Sequence, residues 1–142
     1  GGPMLLSKDC NNTVFNNNKA IIRHYKKNIP ILGICLGCQI ISFLHGGSIF
    51  LANKENKGRY NISKTSNKSV LLNDFSNTFE VYLEHKDFIY LNNKYFNVTS
   101  TLNNNIIMSI ENKKEKLYGT QYHPEGLEST KKVLNNFIKL CM

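Results

Sequence analysis

The chain has 142 residues, of which 41% are hydrophobic and 20% are charged, and its formal net charge is +8 at pH 7. This length suits one compact domain with a single core, and neither a run of eighteen apolar residues nor a signal-peptide pattern indicates membrane insertion or export. The lysines are scattered among asparagines and form no basic stripe interleaved with aromatics, so we expect no nucleic-acid partner and no membrane partner.

The first part of the chain predicts a helix, a buried strand and a second helix. Asn18 can cap a helix after the turn-like run Asn16 to Asn18, with these apolar residues on one side: Ala20, Ile21, Ile22 and Tyr25. The segment "IPILGI" reads as a short strand buried on both faces. The apolar spacing over 36–45 predicts a helix that ends at Gly46 and Gly47. This order of elements is typical of an α/β fold.

The middle of the chain is predicted to be mostly strands. Its β-rich segments are "SIFLA", "RYNISKT", "FEVYL", "YFNVTST", "NIIMSI" and "KLYGTQY", and Asn, Gly and Lys divide them. The run Asn103 to Asn105 is predicted to be a turn. Ser129 can then cap a closing helix whose apolar face includes Cys141, which we expect in the core.

Cys35 and Cys38 form a C-x-x-C pair where the buried strand meets the second helix. The pair could be a redox couple, half of a metal site, or one nucleophile with an incidental neighbour. Gly33 and Gly37 flank Cys35 in a G-x-C-x-G pattern, the cysteine version of a nucleophile elbow, in which a strained turn presents a side chain above the sheet. Four cysteines at uneven spacing do not suggest a disulfide framework, so we expect reduced thiols and a cytoplasmic location.

A cysteine nucleophile needs a base and a group that orients the base. The segment "YGTQYHPEG" supplies both, because His123 follows a predicted strand and Glu125 comes two residues later. Pro124 restricts the turn between them. Cys35, His123 and Glu125 are therefore the candidate catalytic residues.

These residues resemble the class I (triad-type) glutamine amidotransferases. The motifs that carry the resemblance are "GGP" at 1–3, "PILGICLGCQ" at 30–39 and "YGTQYHPE" at 118–125. The resemblance implies a flavodoxin-like α/β fold with a central mixed, mostly parallel sheet flanked by helices, forming one domain over 1–142. It also implies an N-terminally truncated domain, because the family has a strand and a helix before "GGP", and such a piece is expected to be poorly soluble or weakly active.

The same resemblance assigns roles to residues. Cys35 would attack the side-chain amide of L-glutamine, His123 would transfer protons, and Glu125 would orient His123. The backbone N–H groups of Gly2 and Leu36 would form the oxyanion hole. Gln39 would help to hold the substrate, no metal or cofactor is implied in this chain, and Cys38, where the family has His or Met, is expected to be a helix residue without a chemical role.

The segment "YLEHKDF" resembles the W-x-S-H-x-D segment of the glutaminase part of GMP synthases. His85 and Asp87 are the matching residues and would contribute to substrate binding. This subgroup implies a heterodimeric partner, an ATP-pyrophosphatase synthetase that uses ATP and Mg to convert XMP to GMP.

Three alternatives remain open from the sequence, and one of them is that the chain is an inactive fragment. The glutaminase components of anthranilate and aminodeoxychorismate synthases resemble the chain at the triad, but they have Tyr-His-Ser-Leu where it has "EHKD" and Ser where it has Gly126. A redox or zinc protein could use Cys35 and Cys38. Against it, Gly37 occupies the usual place of proline, and no second C-x-x-C completes a zinc site.

Overall fold

The computed structural model describes residues 5–9, 12–92 and 94–142. The helices are α1 (Thr13–Tyr25), α2 (Leu36–Leu44) and α3 (Lys131–Cys141), and two 3₁₀ turns cover Pro124–Gly126 and Glu128–Thr130. The strands are β1 (Ile31–Ile34), β2 (Ser48–Lys64), β3 (Thr78–Tyr90), β4 (Asn97–Leu102), β5 (Ile106–Asn112) and β6 (Leu117–Thr120). Each strand segment predicted from the sequence overlaps one of these strands, although several segments extend a residue or two beyond the strand and "SIFLA" and "RYNISKT" both fall in β2. The predicted turn at Asn103 to Asn105 is confirmed.

The six described strands form one mixed sheet in the order β1-β6-β5-β4-β2-β3. The predicted α/β fold with a mixed sheet is confirmed. The described sheet is not mostly parallel, as the resemblance had implied. Strands β1 and β6 pair in parallel, and the other pairs of the described sheet are antiparallel. Short loops join β4 to β5 and β5 to β6, and such loops allow only antiparallel neighbours, whereas α2 follows β1 and opens a longer crossover.

Helix α1 begins earlier than the sequence predicted. Its cap is Asn12, whose side-chain oxygen accepts a hydrogen bond from the backbone N–H of Phe15 at 2.9 Å. Asn18 lies inside the helix and donates its side-chain amide to the carbonyl of Val14 at 2.8 Å. Phe15 is buried and packs edge-on against Phe43 of α2, with ring centroids 5.8 Å apart. The prediction of a turn at Asn16 to Asn18 was wrong because this packing draws the preceding turn into the helix.

Two apolar clusters form the core. The first contains residues of α1 and α2 and the second contains Val133 of α3. Helix α3 begins after Thr130, whose side chain makes no capping hydrogen bond, and Ser129, the predicted cap, lies in the preceding 3₁₀ turn. Cys141 is exposed, and the prediction of a core position was wrong, because Cys141 is the last residue of α3 and is rotated by about 100° from Leu140, which packs against the second cluster. No helix in the described ranges has the length and apolar character needed to cross a membrane.

Candidate active site

The turn between β1 and α2 holds Cys35 in an unusual backbone conformation. Its φ is 53° and its ψ is −105°, in a region that residues with a side chain rarely adopt. The backbone N–H of Cys35 donates to the carbonyl of Thr120 at 2.8 Å. A Cβ atom on Gly33 would lie 2.5 Å from the carbonyl carbon of Gly37, so the glycine allows β1 and α2 to approach closely. The strained elbow predicted around Cys35 is confirmed.

The parallel pairing of β1 and β6 brings distant parts of the sequence to the same end of the sheet. Ile34 lies opposite Thr120, so the residues that follow both strands emerge side by side. A cavity of about 500 Å³ opens there. Six predicted site residues line it: Cys35, Leu36, Gln39, His85, Asp87 and His123. Gly2, the other predicted oxyanion-hole residue, lies outside the described residues.

His123 lines the same cavity as Cys35 and contacts Glu125. Its backbone N–H donates to the carbonyl of Tyr82 at 2.9 Å, and its Nδ1 is 2.7 Å from Oε1 of Glu125. A hydrogen bond to Cys35 is the main cause that raises the pKa of His123 to about 9; burial opposes the rise and the contact with Glu125 adds to it. His123 therefore carries a proton at neutral pH, at the wall of the cavity that Cys35 also lines.

Leu36 follows Cys35 as the first residue of α2. The N–H groups in the first turn of a helix have no acceptor within the helix, and they lie at the positive end of its dipole. The N–H of Leu36 is thus placed where a negative charge beside Cys35 would be stabilised.

Gln39 and His85 meet at the backbone carbonyl of Asp87. Nε2 of Gln39 donates to this carbonyl at 3.1 Å and to the side-chain oxygen of Gln121 at 3.1 Å. Nδ1 of His85 lies 2.6 Å from the same carbonyl and carries the hydrogen, since a carbonyl can only accept. Burial is the main cause that lowers the pKa of His85, so this ring is neutral at pH 7.

Asp87 is almost fully buried, and its carboxylate faces the segment 5–9. One carboxylate oxygen accepts the backbone N–H of Ser7 at 2.9 Å, and the other accepts the Ser7 hydroxyl. The side chain therefore fastens the N-terminal segment to β3 at the edge of the cavity. Its predicted contact with substrate stays a prediction.

Gln121 is a site residue that the sequence reasoning missed. Its side chain is fully buried, and its Nε2 lies 3.6 Å from Sγ of Cys35. The signal available in the sequence was its position in "YGTQYHPE", two residues before His123.

Cys38 is fully buried in the first core cluster, where its sulfur packs against Gly119. Burial is the main cause that raises the pKa of Cys38 strongly, so the thiol stays neutral. Redox chemistry and zinc binding both use the thiolate, so a neutral, buried thiol does not favour the interpretation of the C-x-x-C pair as a redox or zinc site. Within the described residues, no three His, Cys, Asp or Glu side chains lie close enough together to hold a metal ion.

Comparisons with known proteins agree on one family. The family model described as glutamine amidotransferase class-I matches residues 1–140. A GMP synthase (glutamine-hydrolyzing) of Borreliella burgdorferi is 37% identical over 120 residues, which are 82% of this chain and 23% of that protein. The corresponding enzyme of Petrotoga mobilis is 38% identical over 113 residues, which are 78% of this chain and 22% of that protein.

A solved structure shows the same relationship. The crystal structure of a glutamine amidotransferase from Thermotoga maritima superposes with a TM-score of 0.75 and 25% sequence identity. The match covers 98% of this chain and 60% of that one. The chain spans about a quarter of the length of the curated relatives it matches.

Proposed function

The chain belongs to the glutamine amidotransferase class I family, and from that premise we propose that it hydrolyses L-glutamine to glutamate and ammonia. We propose Cys35, His123 and Glu125 as its catalytic residues. The observation that carries the proposal is the position of His123, which lines the same cavity as Cys35 and whose Nδ1 lies 2.7 Å from Oε1 of Glu125. A nucleophile, a base and an orienting carboxylate in contact are the parts that covalent acyl transfer needs.

The first half of the reaction forms a thioester. The Cys35 thiolate attacks the side-chain carbonyl carbon of glutamine, a C–S bond forms, and the oxygen becomes an oxyanion beside the N–H groups of Leu36 and Gly2. The C–N bond then breaks. Protonated His123 gives its proton to the leaving nitrogen, and ammonia departs.

The second half of the reaction releases glutamate. Neutral His123 takes a proton from a water molecule, whose oxygen attacks the γ-glutamyl thioester. The C–S bond breaks, and the Cys35 thiolate leaves beside a protonated His123. Glu125 keeps Nδ1 of His123 engaged throughout, so that the other ring nitrogen faces the reacting atoms.

We place substrate binding in the same cavity and assign it to Gln39, His85 and Asp87. All three line the cavity that contains Cys35. This assignment rests on the motif match and on that location.

The ammonia is proposed to serve an ATP-pyrophosphatase synthetase, in another subunit or domain, that uses ATP and Mg to convert XMP to GMP. The similarity to GMP synthases over about four fifths of this chain supports this pathway. A cytoplasmic location is part of the proposal, because a reactive cysteine such as Cys35 is kept reduced in that compartment.

The test of the chemistry is a glutamine-analogue affinity label followed by peptide mass mapping. We expect the label on Cys35, with labelling lost in Cys35→Ser and retained in Cys38→Ser. We also expect the unsubstituted protein, but not Cys35→Ser, to release glutamate from glutamine. Equal labelling of both cysteines, or a reversible Cys35–Cys38 disulfide as the main reactivity, would contradict the proposal.

The pathway has its own test, with the ATP-pyrophosphatase partner added. Cys35→Ser is expected to abolish GMP formation from glutamine and to leave GMP formation from ammonium salts unchanged. If the chain instead supplied ammonia to a chorismate-using synthase and not to the XMP reaction, the assignment would move to the anthranilate or aminodeoxychorismate group.

A further inference from the structure

Gln121 precedes His123 by two residues, and its side chain contacts Cys35, the proposed nucleophile. Its side chain is fully buried, and its Nε2 is 3.6 Å from Sγ. A second polar atom faces the same sulfur, the carbonyl oxygen of Glu84 at 3.7 Å. The Cys35 sulfur therefore has two polar neighbours. The carbonyl of Glu84 can only accept a hydrogen bond, whereas the Gln121 amide can donate or accept one, depending on its orientation.

The hydrogen-bond network fixes the orientation of the Gln121 amide. The carbonyl of Asp87 can only accept, so Gln39 must turn its NH₂ group toward it. The same NH₂ group contacts the side chain of Gln121, which must therefore present its oxygen to Gln39. The NH₂ group of Gln121 therefore faces Cys35. The backbone carbonyl of Asp87 on β3 thus determines the donor and acceptor in each hydrogen bond from Gln39 to Cys35.

We propose that Gln121 is a positioning residue for the nucleophile, and that Gln39 acts through it by holding its amide in this orientation. An N–H donor favours the charged form of its acceptor, so Gln121 stabilises the thiolate, whereas the carbonyl of Glu84 can pair only with the thiol. The contact also fixes Sγ at the wall of the cavity that His123 shares. This inference rests on the proposed nucleophilic role of Cys35.

The decisive variant is Gln121→Leu, which removes the N–H donor and keeps a side chain of similar size. We expect the rate constant for alkylation of Cys35 by iodoacetamide at pH 7, followed by peptide mass mapping, to fall about tenfold, since a hydrogen bond to a charged group contributes on that scale. The kcat for glutamine hydrolysis is expected to fall by a similar factor with KM little changed. Gln39→Leu is expected to give a smaller decrease in both, because it frees the Gln121 amide to turn.

Ser42→Ala is the matched control. Ser42 is a fully buried polar residue of α2 whose hydroxyl donates to the carbonyl of Cys38 at 2.9 Å, so its loss perturbs the same helix. Its alkylation rate at Cys35 is expected to equal that of the unsubstituted protein. Thermal unfolding of every variant verifies that folded protein is compared, and Gln121→Met replaces the leucine variant if the latter does not fold.

Alkylation of Cys35 at the unsubstituted rate in a folded Gln121→Leu or Gln121→Met protein overturns the inference. The alkylation assay needs no turnover of glutamine. If the unsubstituted protein reacts with iodoacetamide at Cys35 but does not hydrolyse glutamine, the proposed function fails, and the role of Gln121 is still decided by the alkylation rates.

Discussion

Glu125 reaches His123 from the exposed side of the site. Its side chain is 53% exposed, yet its Oε1 lies 2.7 Å from Nδ1 of His123. The 3₁₀ turn over Pro124–Gly126 makes this contact possible, because the N–H of Gly126 donates to the carbonyl of His123 at 2.9 Å and closes the turn. The closed turn therefore keeps the backbone of the two residues close, so that the carboxylate reaches the imidazole although it is half exposed.

We predict that Glu125→Ala lowers the kcat of glutamine hydrolysis about 100-fold or more, the scale of a general acid–base contribution that loses its orientation. Steady-state kinetics measure this. Glu128→Ala is the matched control, because Glu128 is also a carboxylate in a 3₁₀ turn but pairs with Lys131 at 2.7 Å. The control should keep its kcat. A kcat in Glu125→Ala within threefold of the unsubstituted value would show that His123 needs no carboxylate.

The sequence predicted the residues whose chemistry is visible in their type. A cysteine between two glycines and a histidine two residues from a carboxylate are rare enough to be noticed. Gln121 was missed because a glutamine in a strand carries no such signal, and its importance depends on which atom it faces. Asp87 was singled out by its motif, but its two bonds to Ser7 could not be predicted, since they join residues eighty positions apart.

At the scale of elements, the contact between β1 and α2 depends on one missing side chain. Gly33 faces the backbone of Gly37, and a Cβ there would come within 2.5 Å of the Gly37 carbonyl oxygen. Gly37 itself has nothing within 4 Å of where its Cβ would be. The two glycines look equivalent in the G-x-C-x-G pattern, but the structure gives them different roles.

We predict that Gly33→Ala destabilises the fold by about 1–3 kcal/mol, because the backbone of α2 must shift away from β1. Gly37→Ala is the control, and its free energy of unfolding should be unchanged or slightly higher, since alanine favours the helix. Urea unfolding measures both. Equal effects of the two substitutions would mean that the close approach of β1 and α2 is not what requires glycine at position 33.

The ends of elements were harder to predict than the elements. Asn12 and Asn18 are both good caps by residue type, and the sequence alone favoured the second. The burial of Phe15 decides for the first, because a helix starting at Asn18 would leave that ring outside the packing with Phe43. Tertiary packing therefore sets the boundary, which no local pattern could reveal.

At the scale of the whole molecule, the site exists because of one sheet pairing. Residues 35 and 123 are far apart in the sequence, and the parallel pair of β1 and β6 places them at the same end of the sheet. The resemblance to a family predicted that they meet; the pattern of apolar residues did not, because it carries no information about which strands are neighbours. Folding and assembly of the site are therefore linked, and the charge state of His123 should be visible in global stability.

The linkage has a definite sign. Contact with Cys35 and then Glu125 raises the pKa of His123 from an ordinary value of 6.5 to about 9, so the folded protein holds this proton more tightly than the unfolded chain. The resulting stabilisation is complete below pH 6.5 and is lost as the pH rises toward 9. His45 and His85 do not mask the effect, because burial is the main cause that lowers the pKa of each, and their contribution changes below pH 6.5 instead.

We therefore predict that the Tm of the unsubstituted protein falls between pH 6.5 and pH 8.5, and that His123→Gln shows a smaller fall over the same range. Thermal unfolding at several pH values measures the difference between the two curves. His24→Gln, at an exposed histidine of α1, is the control and should follow the unsubstituted curve. The window stops at pH 8.5 because burial is the main cause that raises the pKa of Cys38 well above 9, so Cys38 adds a further loss of stability at higher pH. Parallel curves for the unsubstituted protein and His123→Gln would mean that His123 binds its proton no more tightly in the folded state than in the unfolded chain.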